Sequence, residues 1–211
     1  MTALDQHLLT AARTGDLGAA RAALAGGANP EARDAGGRTA LLLAALADRV
    51  ALAELLVAAG ADPDAQDDRA DSPWLVTGVT GSVAMMRVLL AAGPDLRLVN
   101  RSGGVSLIPA AERGHVAYVR AVLSETDIEV DHVNRLGWTA LLEAVILGDG
   151  GRAHAEVVRL LLAAGADPEL ADADGTTPLQ HAQRRGFDAL AALIRAAIAR
   201  HRIEPENGGN R

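Results

Sequence analysis

Residues 58–63 read Ala58-Ala59-Gly60-Ala61-Asp62-Pro63. The string returns as Ala91-Ala92-Gly93-Pro94-Asp95, as Ala163-Ala164-Gly165-Ala166-Asp167-Pro168 and, more loosely, as Ala25-Gly26-Gly27-Ala28-Asn29-Pro30. Recurrence at a fixed period marks a chain assembled from stacked units. Working outward from the string, an acid or its amide opens each unit: Asp34, Asp67, Asn100, Asn134 and Asp172, at intervals of 33, 33, 34 and 38 residues. Five residues after each opener stand Thr39-Ala40-Leu41, Ser72-Pro73-Trp74, Val105-Ser106-Leu107, Thr139-Ala140-Leu141 and Thr177-Pro178-Leu179.

Local chemistry accounts for this pattern. Thr39 and Thr177 can cap a helix start by accepting hydrogen bonds from its free N–H groups, and a Pro at the next position has no N–H to leave unpaired. Ala44, Ala45, Ala110, Ala111, Ala144 and Ala182 are small enough to let one helix pair lie close against the next. Leu55-Leu56, Leu89-Leu90, Val122-Leu123 and Leu160-Leu161-Leu162 supply the apolar face of a second helix. Gly60, Gly93 and Gly165 end that helix in the left-handed conformation. Each unit then buries its apolar face against its neighbours alone, and stability is spread along a stack.

Composition narrows the chemistry. The 211 residues include 45 Ala and 30 Leu but one Phe, one Tyr and two Trp, so close Ala contacts must replace aromatic bulk. There is no Lys and no Cys, and all 20 cationic side chains are Arg. A Schiff-base enzyme, a P-loop, a thiol nucleophile, a disulfide framework and a thiolate metal site are thereby excluded. A net charge of −7 argues against general nucleic-acid or anionic-membrane binding. No basic segment followed by an apolar run opens the chain, and runs such as Thr39–Ala47 fall far short of the roughly 20 residues of a membrane helix. A cytoplasmic monomer is expected.

The unit resembles the ankyrin repeat, whose pattern is Asp-x-x-Gly-x-Thr-Pro-Leu-His-x-Ala followed later by Leu-Leu-x-x-Gly-Ala-Asp. The stretches Asn100–His115 and His132–Gly151 are similar to those of small stand-alone bacterial members of that family. The resemblance implies an all-α solenoid of about six stacked helix-turn-helix units joined by short β-hairpin-like loops, with a concave side built from hairpin tips and first helices. A single domain, 1–202, is expected. It comprises a capping unit at 1–33 with Leu8, Ala11, Ala12, Gly15 and Gly27 in register, repeats at 34–66, 67–99, 100–133 and 134–171, and a last repeat at 172–202; 203–211 is expected to be a disordered tail.

Departures from the repeat carry the functional expectations. Gly148-Asp149-Gly150-Gly151-Arg152 is an insertion between the helices of the fourth unit, a place for a flexible loop or a ligand wrap. Pro109 falls inside the third unit's first helix and is expected to perturb it. Trp74 takes the Leu slot and should pack, whereas Trp138, beside the cap Thr139, is a candidate binding anchor. By the resemblance, the slots facing the concave side hold Arg38, Leu43, Leu46 and Ala47, then Arg69, Asp71, Val79 and Thr80, then Arg101, Glu112 and Arg113. The fourth unit adds Arg135, Trp138, Glu143, Ile146 and Leu147, and the fifth Asp174, His181, Arg184 and Arg185.

The expected function is non-catalytic binding of a protein partner through the concave, Arg-rich groove. Arg69, Asp71, Arg101, Glu112, Arg113, Arg135, Trp138, Glu143 and Arg184 form the contact set, with Arg pairing bidentately to carboxylates. An alternative is a small-molecule or weak hydrolase site, because Glu112 and Glu143 could face one another across adjacent first helices beside the 148–152 loop, with His132 or His181 assisting. The six His show no metal-ligand spacing, and His115 and His154 take structural slots; neither metal nor cofactor is expected.

Overall fold

The computed structural model describes residues 1–203, all of whose named elements are helices. They are α1 (Ala3–Thr14), α2 (Leu17–Ala25), α3 (Ala40–Leu46), α4 (Val50–Ala58), α5 (Pro73–Thr80), α6 (Val83–Leu90), α7 (Leu107–Glu112), α8 (Val116–Glu125), α9 (Ala140–Ile146), α10 (Arg152–Ala163), α11 (Pro178–Arg184) and α12 (Asp188–Ile203). The chain groups into two compact units, Met1–Arg101 and Ser102–Arg211, where the repeats suggest one continuous domain. Each unit holds three helix pairs. Ile203, assigned to a tail, closes α12, and the remainder of that expected tail lies outside the described residues.

In the first unit α1, α3 and α5 pack side by side, as do α2, α4 and α6; in the second, α7, α9 and α11 form one row and α8, α10 and α12 the other. The six Ala residues expected between helix pairs are all fully buried. Leu56, Leu89, Val122 and Leu161 fill the second-helix core, while Leu55, Leu90, Leu123 and Leu160 are half-buried. Trp74 is fully buried, as its slot requires, although its indole N–H finds no acceptor.

First helices start where side chains cap them. Thr39, Ser72, Thr139 and Thr177 accept from Leu42, Leu75, Leu142 and Gln180 N–H, and Gln180 returns a bond to Thr177 N–H. The third unit has Val105 in the cap slot. Ser106 stands one residue late, its hydroxyl buried without a partner, and α7 is the shortest helix described. Pro109 lies on the third residue of α7, where it has no helical acceptor to lose, so the perturbation expected of it does not arise.

The connecting loops are hairpin-like. N–H of Asp34, Asp67, Asn134 and Asp172 reaches the carbonyl four residues on, at 3.0, 2.9, 3.0 and 3.1 Å. Each of these tips turns through a left-handed residue, Gly37, Gly137 and Gly175 in three cases and Ala70 in the fourth, at φ +57°. Neighbouring loops are also hooked together. Glu31 accepts from Asp62 N–H at 2.9 Å and Asp64 from Asp95 N–H at 2.7 Å in the first unit, and Asp131 accepts from Asp167 N–H at 3.1 Å in the second.

Candidate functional site

The expected contact residues divide between the two units. Arg69, Asp71 and Arg101 belong to Met1–Arg101. There Asp71 is half-buried, and burial and the charge of Asp67 raise its pKa, while Arg101 and Arg69 act in the opposite direction. Arg69 and Asp71 line a cavity of about 210 Å³ together with Gly36, Arg38, Leu46, Asp67 and Asp68.

Glu112, Arg113, Arg135, Trp138, Glu143 and Arg184 belong to Ser102–Arg211. Arg113 and Glu112 form an ion pair at 3.2 Å at the end of α7, both partly exposed. Arg135 is exposed on the hairpin tip, its N–H held by Ser102 O at 2.9 Å and its stem laid against Gly103 at a distance no Cβ would permit. Arg184, exposed at the end of α11, is 3.4 Å from the Thr176 hydroxyl. Trp138 is half-buried on the same tip as Leu136, which is 57% exposed, and Leu147 just beyond α9 is 50% exposed. Arg185 is committed internally: its guanidinium donates to the Ile146 carbonyl and lies 4.6 Å over the Phe187 ring.

Two expected groove residues are not on the surface. Leu43 and Glu143, both nine residues after their openers, are only 7% and 6% exposed. Leu46, the last residue of α3, and Leu147, just beyond α9, are instead 44% and 50% exposed, because they stand where the helices end. Glu143 is therefore an interior carboxyl, not a contact residue. Its Oε1 accepts from Asn134 Nδ2 at 2.8 Å. Burial, and then repulsion from Glu112, push its pKa up to about 7 against the Asn134 hydrogen bond and the Arg113 charge. Asn134 Oδ1 meanwhile accepts from Leu136 and Trp138 N–H at 2.9 and 3.1 Å, so one side chain links the buried acid to the hairpin carrying the Trp.

The fifth unit repeats this device with exchanged chemistry: His181, also nine residues past its opener, meets Asp172 at 2.7 Å. The sequence contains the signal in the pairs 34/43, 67/76, 100/109, 134/143 and 172/181, where Leu43, Val76 and Pro109 are all apolar. A polar residue in that slot is accompanied by a complementary opener.

The inserted 148–152 loop is filled by its own neighbours. Gly148 is buried against the Ala144 carbonyl and the His154 ring, and Gly150, at φ +71°, is half-buried against the Phe187 ring. His154 itself is buried, with Asp149 Oδ1 2.7 Å from Nδ1 and the Glu112 carbonyl 2.9 Å from Nε2. Asp149 also accepts from Gly151 N–H at 2.8 Å, so the insertion is a built start for the long α10. Among the described residues no three His, Asp or Glu side chains converge on a metal position, and no helix is long and apolar enough to cross a membrane.

Comparison with known proteins gives matches along the chain. Residues 36–68 match the family Ankyrin repeat, and residues 76–172 the family Ankyrin repeats (3 copies). The chain is 42% identical over 196 residues to the ankyrin repeat protein YahD of Escherichia coli (strain K12), covering 93% of this chain and 98% of that one. The crystal structure of an ankyrin repeat domain from Acinetobacter baumannii AYE superposes with a TM-score of 0.86 at 47% identity, over 90% of this chain and 96% of the other. Cyclin-dependent kinase 4 inhibitor B of Bos taurus is 41% identical over 96 residues, covering 44% of this chain and 68% of that protein.

Proposed function

The chain belongs to the ankyrin repeat family, and on that premise we propose that it is a non-catalytic protein-binding module. Its contact surface is the hairpin-tip and first-helix face of the Ser102–Arg211 unit. Ankyrin repeats are in general protein–protein interaction modules, and one matched relative is by its name an inhibitor of a protein kinase. The observation carrying the choice of face is the exposure of Leu136 and Leu147, which with half-buried Trp138 flank the two ends of α9, on a unit that also presents Arg113, Arg135 and Arg184. Exposed apolar side chains together with Arg match the composition of protein interfaces, which are enriched in aromatics and Arg. Arg69, Asp71 and Arg101 are charged groups of the first unit, where both Arg act on Asp71. The protein acts in this reading as a cytoplasmic monomer without a cofactor.

The test is capture of binding proteins from the native cytoplasm by wild type, by Arg113→Ala/Arg135→Ala/Arg184→Ala, and by Arg69→Ala/Arg101→Ala, each with its melting temperature. The first variant is expected to lose capture by at least about tenfold with little change in melting, since exposed Arg side chains add little to stability. Unaltered capture, or equal loss of both properties, sinks the assignment. Loss confined to the second variant transfers it to the first unit.

A small-molecule or weak hydrolase site at Glu112, Glu143 and the 148–152 loop has the raised pKa of Glu143 in its favour. Against it, Glu112 is paired with Arg113 and the loop is occupied by His154 and Phe187. A thermal-shift panel of metabolites decides: a specific stabilisation that Glu143→Gln abolishes would support it.

A further inference from the structure

Beneath the proposed docking face lies a side-chain cluster that the docking reading does not use. Glu143 on α9 is buried and bonded to Asn134, the residue that also holds Leu136 and Trp138 N–H in the hairpin. The ion pair of Glu112 and Arg113 stands at the end of α7, which packs against α9. A buried carboxyl placed among exposed groups that contact a partner feels that partner's charge, because the intervening protein screens less than water.

We propose that the partner segment seated on this face is acidic, and that its docking is coupled to uptake of a proton by the Glu143 carboxyl. The inference rests on the docking reading above. Charge complementarity selects the acidic partner: the exposed cations of the face, Arg113, Arg135 and Arg184, outnumber its acids, which are Glu112, paired with Arg113, and the exposed Asp174. An anion brought to Arg113, the cation whose charge acts on Glu143, repels a charge on that carboxyl. The protonated carboxyl still accepts from Asn134 through its carbonyl oxygen, so the hairpin is held in both states while the face becomes more positive by one charge when the proton is on.

Besides the exposed Arg152 at the start of α10, the charged groups on the elements packed against α9 have the following partners. His181 on α11 is bonded to Asp172, and Arg184 reaches Thr176. On α10, His154 is held by Asp149 and the Glu112 carbonyl, and Glu156 by Arg120 and Arg159. The position of the Glu143 pKa, pushed up to about 7, puts the exchange within the ordinary pH range.

The probes are a tetramethylrhodamine-labelled dodecapeptide of Glu and Ser around one central Leu, and the same peptide with Lys in place of Glu. Binding is measured at about pH 6 and about pH 8 with wild type, Glu143→Gln and Arg113→Gln/Arg135→Gln/Arg184→Gln. The peptide carboxylates stay ionised throughout, so any pH dependence comes from the protein. Wild type should bind the acidic peptide in preference to the basic one, and roughly threefold to fivefold more tightly at the lower pH. Glu143→Gln should hold the tighter affinity at both, and the triple Arg variant should bind weakly at both. Histidine contributions persist in Glu143→Gln, so the difference between it and wild type isolates Glu143. Acidic-peptide binding whose pH dependence is equal in wild type and Glu143→Gln overturns the proton coupling and leaves the docking face standing. Preference for the basic peptide overturns the partner chemistry. Failure of both peptides to bind overturns the docking reading and the inference with it.

Discussion

Replacement of Glu143 by Gln should make the protein more stable at alkaline pH and leave it almost unchanged in acid. In the native state burial and Glu112 raise this carboxyl from 4.5 to about 7, so the folded chain keeps a proton that the unfolded chain releases near 4.5. Stability therefore falls as pH rises through that window and levels off above about 7, since the native state binds more protons than the unfolded state across it. A displacement of that size, at about 1.36 kcal/mol per unit, corresponds to roughly 3 kcal/mol. Gln has the same shape, retains an acceptor for Asn134 Nδ2 and cannot ionise, which removes the penalty. The measurement is urea denaturation of wild type and Glu143→Gln at about pH 5 and pH 8. The variant should gain about 3 kcal/mol on wild type between the two, or roughly 6–12 °C in melting temperature for a chain of this size. An equal difference at both pH values, or a variant less stable than wild type at pH 8, would show that Glu143 is not held neutral by its surroundings.

Three further substitutions probe the frame. Ala70→Gly relieves the one loop tip that turns left-handed without a Gly, and should stabilise by about 1 kcal/mol in a thermal melt. Gly148→Ala places a methyl against the Ala144 carbonyl and the His154 ring; a loss of about 2–3 kcal/mol or more is expected, with earlier hydrogen exchange in α10 than in α12. Asp34→Ala removes an almost fully buried carboxylate that takes Arg13 at 2.7 Å, Arg38 at 3.0 Å and the N–H groups of Gly36 and Arg38, at a cost of about 3 kcal/mol by chemical denaturation. Burial opposes its ionised form, but those hydrogen bonds outweigh burial and hold its pKa well below the usual range. The wild-type advantage should accordingly be full above about pH 4 and fade as pH falls further.

The parts of the fold legible in the sequence are those where one residue type does one physical task. Thr39, Ser72, Thr139 and Thr177 cap, Gly60, Gly93 and Gly165 turn left-handed, and the six inter-helix Ala residues are buried. The grouping into two compact units carries no such mark, since the junction Asn100-Arg101-Ser102-Gly103-Gly104 has the same polar, Gly-bearing form as the tips that open the other repeats. At the site, exposure of Arg135 and Arg184 follows from register, but register also placed Glu143 among them. An ionisable side chain suggests solvent, and the apolar occupants of the same slot, Leu43, Val76 and Pro109, were the stronger guide. The inserted loop was misleading for a related reason: three Gly within five residues suggest mobility, yet Gly148 and Gly150 are there because His154 and Phe187 come too close for any Cβ.

The loop hooks have a consequence for how such a chain can change length. In Glu31 to Asp62 and Asp64 to Asp95 the acceptor precedes its donor by 31 residues, and in Asp131 to Asp167 by 36, the difference being the five-residue insertion lodged at 148–152. The repeat at 34–66 carries both halves, a plug, Asp62 N–H, for its predecessor and a socket, Asp64, for its successor. Duplicating or deleting one whole period leaves a plug facing a socket, whereas a cut elsewhere strands one of them. The interlock also tolerates residues added between the helices, because they lengthen the path from socket to plug without moving either end.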